Sequence, residues 1–406
     1  MQNIIWNTAD VRNNIDKLAK RLQPHYKYFD VENRLLFTGH SHQAWPDVAL
    51  EGLKESFSVA SSAVDNKWEQ AFEKTNVLRT YLKNYYDDPE GLYCLGENTH
   101  ILLVSWLSGL DLKNKPRVIT TDTEFHSMFR QLHRLEEEGL EVVAVDAHSD
   151  NIVNLIQKEI DRKTSAIMMS RVYFESGFVN QNIPEIAELA RSEEIPLLID
   201  DYHGTNVVPL SIREAQLDDC FLLIGGYKYL QWGEGNCFLR FPKNCKLRPA
   251  ITGWFASFDS LDEPRSDEPV SFDNGDQRFA TGTYDPVSQF RAAKVVNFFL
   301  KQELTPSRLR QQYLDQVGLL KKLFLDQNFK AAKIKLKHER PLEQNGGFLA
   351  LESPFARTIR AKLMEEGIFT DARGDILRLG PAPYTTSEQI QQMIIKLSNV
   401  VNNLNP

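Results

Sequence analysis

Between residues 116 and 224, near-continuous apolar runs alternate with amphipathic stretches, and that alternation leaves few folds open. PRVITTD (116–122), LEVVAVD (140–146), SAIMMSRVYF (165–174), IPLLID (195–200) and CFLLIGG (220–226) read as strands. MFRQLHRLEEEG (128–139), NIVNLIQKEI (151–160) and IPEIAELARSEE (183–194) read as helices. Strands apolar on both faces, separated by helices apolar on one, bury themselves in a largely parallel sheet covered on both sides. The expected fold class is α/β.

The ends of these strands carry the chemistry. Thr123, Glu124, Phe125 and His126 follow the first, Ser170 lies in the third, Asp200 and His203 close the fourth, and Tyr227 and Lys228 follow the fifth. Open α/β sheets bind ligands at the carboxyl edge of their strands. One polar strand end means little; four feeding one edge predict a site. The stretch IGGYKYLQWGEG (224–235) anchors it, because Lys228 follows a Gly-Gly pair that ends an apolar run. A lysine and an aspartate at neighbouring edges are the groups a pyridoxal phosphate site most needs. The lysine forms a Schiff base and the aspartate keeps the pyridine nitrogen protonated.

Bulk properties narrow the function classes. A chain of 406 residues suits a large domain plus a smaller one. Its 42% hydrophobic and 25% charged content is that of an ordinary globular protein. The formal charge of −8 provides no basic excess for phosphates, so nucleic acid is not an expected partner. Cys94, Cys220, Cys237 and Cys245 form no CxxC pair and have no histidine at ligand spacing, so they read as reduced and no metal is expected. The N-terminal stretch MQNIIWNTADVRNNIDKLAKRL lacks an apolar signal core, and no run reaches the length of a transmembrane helix. A cytoplasmic location and no membrane contact are expected.

Along the chain, residues 1–30 read as a helical segment with Val11, Ile15, Leu18 and Leu22 at helical spacing. RLLFT (34–38) is strand-like and leads into GHSHQAWP (39–46), either a surface turn or a pocket wall. Residues 47–86 are helical in period, with Trp68, Phe72 and Leu78 on the apolar face. In YCLGENTHILLVSWLSGL (93–110) a Gly-Glu-Asn-Thr turn opens an apolar helix. Its N-terminus is either a phosphate cradle, with Asn98 and Thr99 as added donors, or simply an N-cap. NCFLRFP (236–242) reads as a strand, TGWFASFDSLDEP (252–264) as a loop, and about 287–325 as a long helical stretch. KAAKIKL (330–336), GGFLALES (346–353) and DILRLGPAP (375–383) read as strands, and ARTIRAKLMEEG (356–367) and SEQIQQMIIKLSNVVNN (387–403) as helices of a small α+β unit.

At this point the chain resembles the fold-type-I pyridoxal phosphate enzymes of the class V aminotransferase superfamily, and most closely their kynureninase branch. The ordered motifs are GYKYL (226–230), Asp200-Asp201-Tyr202-His203, GWF (253–255), RFATGT (278–283) and RLGPAPYTT (378–386). The resemblance runs from Gly39 to Tyr384. It implies a large domain (31–290) with a mainly parallel, seven-stranded type of sheet covered by helices. It further implies a linking helix (291–325), a smaller C-terminal α+β domain (326–406), and an N-terminal helix (1–30) associated with the latter. It implies pyridoxal 5′-phosphate as cofactor and a homodimer whose sites are shared between subunits.

By that resemblance Lys228 holds the cofactor and later moves protons, with Tyr227 beside it. Asp200 pairs with the pyridine nitrogen and Asp201 is its neighbouring competitor. His203 either faces the ring or satisfies a core hydrogen bond. Phe125 stacks on the ring, and Asn98, Thr99 and Tyr227 hold the phosphate. Trp254 and Thr283 complete a neighbouring subunit's site. Arg378 clamps the substrate carboxylate, a task suited to a planar bidentate donor, unless it is only a salt-bridge partner. Ser41 lies with the substrate. Where the branch carries a GNSLG-like turn this chain has GHSHQ (39–43); an acidic position is Met128, and an Asn-Tyr pair is Tyr173-Phe174. The cofactor frame is kept and the side-chain pocket is rewritten. The expected activity is transamination of an α-amino acid through an external aldimine, the alternatives being kynureninase-like Cβ–Cγ hydrolysis, desulfurase chemistry and non-catalytic binding. A nicotinamide dehydrogenase lacks its GxGxxG here.

Overall fold

The computed structural model describes residues 8–260 and 268–404. Seven strands build the main sheet: β1 (Leu92–Gly96), β2 (Arg117–Thr121), β3 (Glu141–Val145), β4 (Thr164–Ser170), β5 (Leu197–Asp200), β6 (Phe221–Gly225) and β7 (Cys237–Phe241). Their spatial order is β1-β7-β6-β5-β4-β2-β3. All neighbouring pairs are parallel except those of β7, which runs antiparallel to both β1 and β6. β4, β6 and β7 are buried along their whole length, which is why they read as unbroken apolar runs rather than alternating ones.

The helices between strands show the complementary pattern. His126–Glu136, Ile152–Glu159 and Ile183–Ser192 bury one apolar stripe each and expose the rest. Thr99–Leu107 differs: it is apolar nearly all round and sits between the sheet and its covering layer, with Leu102, Leu103, Trp106 and Leu107 buried.

A second, smaller sheet is antiparallel throughout: β8 (Lys335–Leu336), β9 (Leu349–Glu352), β10 (Asp371–Arg373) and β11 (Ile376–Leu379), ordered β10-β11-β9-β8. Its core is separate from that of the main sheet. It joins Val317, Leu320, Leu377, Ile390 and Leu397 to Val11, Ile15 and Phe37 from the start of the chain. The first helix, Thr8–Leu22, is tied there by polar contacts as well, since Gln312 Nε2 donates to the Ile15 carbonyl (3.2 Å) and the Ser387 N–H to Asp16 Oδ1 (2.8 Å).

Several elements differ from expectation. The stretch 287–325 is two helices, Val287–Lys301 and Pro306–Asp326. Glu303 adopts φ of 50°, and the Thr305 side chain accepts from the Arg308 N–H just before Pro306, so a cap and an N-terminal proline restart the helix. Residues 47–86 likewise split into Val48–Ala63 and Lys67–Tyr85, at Val64 with φ of 49°. The run 165–174 leaves the sheet after Ser170, because Arg171 turns to pair with Asp201. RLLFT contributes only Leu35–Leu36, parallel to Ile368–Phe369, and KAAKIKL only β8. Residues 1–7 of the first helical segment and 261–264 of the expected loop lie outside the described residues.

Candidate active site

The carboxyl ends of β2, β4, β5 and β6 open into one cavity of about 310 Å³. The path from sequence to site is local. β6 ends in Gly225-Gly226, where chain passes too close to its neighbours for side chains. A Cβ on Gly226 would lie 2.4 Å from the Asn236 carbonyl oxygen. That close approach drops Lys228 into the protein, where its side chain is 5% exposed.

Lys228 Nζ lies 2.7 Å from His203 Nε2, 4.4 Å from the Tyr202 ring centre and 5.2 Å from that of Phe125. Burial pulls the Lys228 ammonium below the ordinary lysine range, with the Asp200 carboxylate opposing, and pushes the Asp200 carboxyl up, with Lys228 opposing. His203 is driven down by burial and by Lys228 and Arg378, so it is a neutral imidazole whose Nε2 shares a hydrogen bond with the lysine. Its other ring nitrogen, Nδ1, has no hydrogen-bond partner among the described residues. Asp200 Oδ1 accepts from the Tyr202 N–H (2.9 Å) and faces the cavity.

Asp201 goes elsewhere. Its oxygens take Arg171 Nε (2.5 Å), Arg171 Nη2 (3.1 Å) and the Tyr86 hydroxyl (2.7 Å), and it is fully buried away from the cavity. The two aspartates are thus separated by what each touches.

Asn98, Thr99, Phe125, His203, Tyr227 and Lys228 line the same cavity as Asp200. Asn98 Oδ1 accepts from the Ile101 N–H (3.0 Å), so it caps the helix Thr99–Leu107 at the cavity wall. The first turn of a helix presents backbone N–H groups that no earlier turn can satisfy. Tyr227 stacks on His42 (4.8 Å, 18°), whose Nδ1 is 3.2 Å from Ser41 Oγ; Ser41 reaches the cavity only through that neighbour.

With Ser41, four expected residues do not line this cavity. Trp254 is 45% exposed in an aromatic group with Phe255 and Phe258. Thr283 lines a different space of about 80 Å³ with Arg79, Cys94 and Phe255. Arg378 is buried behind the cavity, where Nη1 donates to the Phe174 carbonyl (2.6 Å) and Nη2 to Asp371 Oδ2. Its charge is already paired, and only its Nε has no partner among the described residues.

Sequence reasoning passed over two groups. Glu124 is buried; its carboxylate accepts from Thr121 Oγ1 (2.5 Å), the Ser170 N–H (3.0 Å) and Ser170 Oγ (2.5 Å). Burial nonetheless pushes its carboxyl up to about 7. Tyr202 forms part of the cavity wall and was hidden inside the acid-rich tetrad 200–203. The only available signal for either was its place at a strand end.

The chain matches the family "aminotransferase class-V" over residues 58–334 and the kynureninase C-terminal domain over residues 309–397. It is 25% identical to an uncharacterized aminotransferase, YcbU, of Bacillus subtilis over 82% of this chain and 85% of that one. It is 27% identical to a mitochondrial cysteine desulfurase of Candida albicans over 46% of this chain and 38% of the relative, so that match spans well under half the relative's length. Among solved structures, a cysteine desulfurase from Thermococcus onnurineus superposes with a TM-score of 0.79 at 15% identity, covering 95% of this chain and 99% of that one. A C-DES mutant with glycine covalently linked to its PLP cofactor superposes at 0.77 and 16%, covering 93% and 99%. These two establish the fold. No described helix is long and apolar enough to cross a membrane.

The residues present suit pyridoxal phosphate. A buried lysine held toward its neutral form provides the amine, Asp200 a carboxylate, the first turn of Thr99–Leu107 an anion cradle, and His203 Nδ1 a ring nitrogen without a partner among the described residues. With the family match spanning more than half of its length, the chain belongs to the class-V aminotransferase family of pyridoxal phosphate-dependent enzymes.

Proposed function

We propose that the chain takes an α-amino acid, moves its α-proton with Lys228, and completes a transamination. The observation that supports this most is the pairing of buried Lys228 Nζ with neutral His203 Nε2 at 2.7 Å in a cavity lined by Asp200. Pyridoxal phosphate, when bound, supplies an aldehyde for the amine and a ring that withdraws electrons from the substrate carbon. Lys228 Nζ holds the proton between its removal and its return, and His203 orients that nitrogen through the hydrogen bond they share. Asp200 keeps a negative charge against the inner end of the cavity, and Asn98 with Thr99 forms the cradle for the phosphate. Phe125 gives a flat apolar face that excludes water from the reacting side.

Transamination moves one proton from the substrate's α-carbon and takes up one water to release the 2-oxo acid, and Lys228 is the buried group placed to move that proton. Glu97, His100 and Glu234 line the cavity only at its exposed rim. Desulfurase chemistry, the activity named for several relatives, calls for a reactive thiol. Cys237, the one cysteine lining this cavity among the described residues, has its thiol pushed up to about 11 by burial, so it stays protonated. A second reading is hydrolysis of the Cβ–Cγ bond of kynurenine or a related γ-keto amino acid. It is favoured by the kynureninase C-terminal match and by Tyr227 beside Lys228.

Borohydride treatment of the cofactor-loaded protein, followed by peptide mapping, is expected to place the pyridoxyl group on Lys228; capture on another lysine removes the assignment. With amino acids and no acceptor, transamination stops after one equivalent of 2-oxo acid per site. Continuous release of alanine from kynurenine without an acceptor overturns it in favour of hydrolysis.

We further propose that Arg378 meets the substrate carboxylate only by sharing its guanidinium with Asp371, and that Trp254 and Thr283 serve the site of a second subunit in a homodimer.

A further inference from the structure

We infer that Tyr202 is a second aromatic wall for the cofactor ring, so that the ring is held between Phe125 and Tyr202. The inference rests on Lys228 being the point of attachment.

Three observations converge on it. Tyr202 is 8% exposed and borders both the cavity and the core that contains Leu102, Leu223 and Cys237. Lys228 Nζ, the atom from which a bound cofactor would extend, sits 4.4 Å from the Tyr202 ring centre and 5.2 Å from that of Phe125. Both rings lie within 5.2 Å of that one nitrogen, and a flat ring extending from it would gain from stacking on each beyond its burial. Tyr202 is also held rigidly. Its N–H donates to Asp200 Oδ1 at 2.9 Å, and its ring meets Tyr227 at 5.1 Å. A contact fixed to Asp200 keeps wall and carboxylate in one geometry.

The strand beneath makes room for this side chain. A Cβ on Gly225 would lie 1.7 Å from Tyr202 Cζ and 2.0 Å from its two neighbouring ring carbons. Gly225 has no left-handed backbone to explain it; its φ lies outside the range that favours glycine. The tyrosine ring accounts for the missing side chain, and the two positions form a steric pair. The hydroxyl is the lesser part of the side chain. It meets Cys237 Sγ at 3.9 Å, a weak partner, and shares a hydrogen bond with the Tyr227 side chain.

The experiment compares pyridoxal phosphate dissociation constants and the visible circular dichroism of the bound cofactor in wild type, Tyr202→Phe, Tyr202→Ala and Tyr202→Ala/Gly225→Ala. The chain is first shown by borohydride to carry the cofactor on Lys228, so a failure of that attachment is seen separately. Tyr202→Phe is expected to bind within about threefold of wild type, and Tyr202→Ala about tenfold more weakly with a reduced dichroic band. The double variant refills the space over β6 without restoring an aromatic face. It is expected to recover the melting temperature of the cofactor-free protein but not the affinity. Recovery of affinity in the double variant makes Tyr202 a packing residue and overturns the inference. Equal losses in Tyr202→Phe and Tyr202→Ala overturn it too, because the hydroxyl would then be responsible.

Discussion

Asp200 and Asp201 are the same side chain one residue apart, and folding gives them opposite tasks. Successive residues at a strand end point to opposite faces, so Asp200 meets the cavity while Asp201 meets Arg171 and Tyr86. The sequence favoured Asp200 over Asp201, and in the structure Arg171, which leaves β4, takes up Asp201. Glu124 shows the same dependence. Nothing in the tetrad 123–126 announces a buried acid, yet its carboxyl is raised to about 7 by burial. Because the folded value lies above the unfolded one of about 4.3, the native state retains a proton that the unfolded chain releases. The associated stability is fully present below about pH 4 and is lost as pH rises through about 7. Its size is on the order of 3 kcal/mol. Glu124→Gln, which has no proton to lose, is expected to be less sensitive to alkaline pH than wild type in urea unfolding between about pH 4 and about pH 8. An identical pH slope in the two proteins shows that Glu124 does not titrate in this range.

At the scale of elements, the site depends on how strands and helices end. The parallel order of β2, β4, β5 and β6 points four carboxyl ends the same way, and this much was legible from the apolar runs and their polar termini. The capped start of Thr99–Leu107 was legible only as a choice between cradle and cap; the structure shows the cap, on the wall of the cavity. The two roles can be separated. Asn98→Ala is expected to lower the melting stability of the cofactor-free protein by about 1 kcal/mol through loss of the cap. Asn98→Asp keeps a cap acceptor but sets a carboxylate against the phosphate. It is expected to melt like wild type while binding pyridoxal phosphate more weakly. Unchanged affinity in Asn98→Asp removes this residue from the phosphate site. Breaks inside helical stretches were not legible from period alone. Thr305-Pro306 carried a restart signal, while the turn at Val64 had none, since valine seldom takes a positive φ.

For the whole molecule, two of the residues left out of the cavity, Trp254 and Thr283, are exposed. Trp254 lies beside Phe255 and Phe258 and Thr283 lines another space, and the proposed action of both on a second copy is open to direct test. Sedimentation is expected to give a species of twice 46.6 kDa. Hybrids of Lys228→Ala with Trp254→Ala chains are expected to regain activity that neither variant has alone. A monomer, or hybrids without recovery, ends the shared-site proposal. By itself the sequence determined the fold class, the edge of the sheet at which the site lies, and the lysine at its centre. These follow from local periodicity and from which residues end each strand, and both are properties of short segments. The tertiary structure decided that Asp201 is taken up by Arg171, that Arg378 is already paired with Asp371, and that Tyr202 lies beside the lysine. Those outcomes depend on groups 30, 7 and 26 residues apart in the chain being brought into contact, or into register across strands. No local pattern encodes such a meeting, because its energy arises only when distant segments bury the same space.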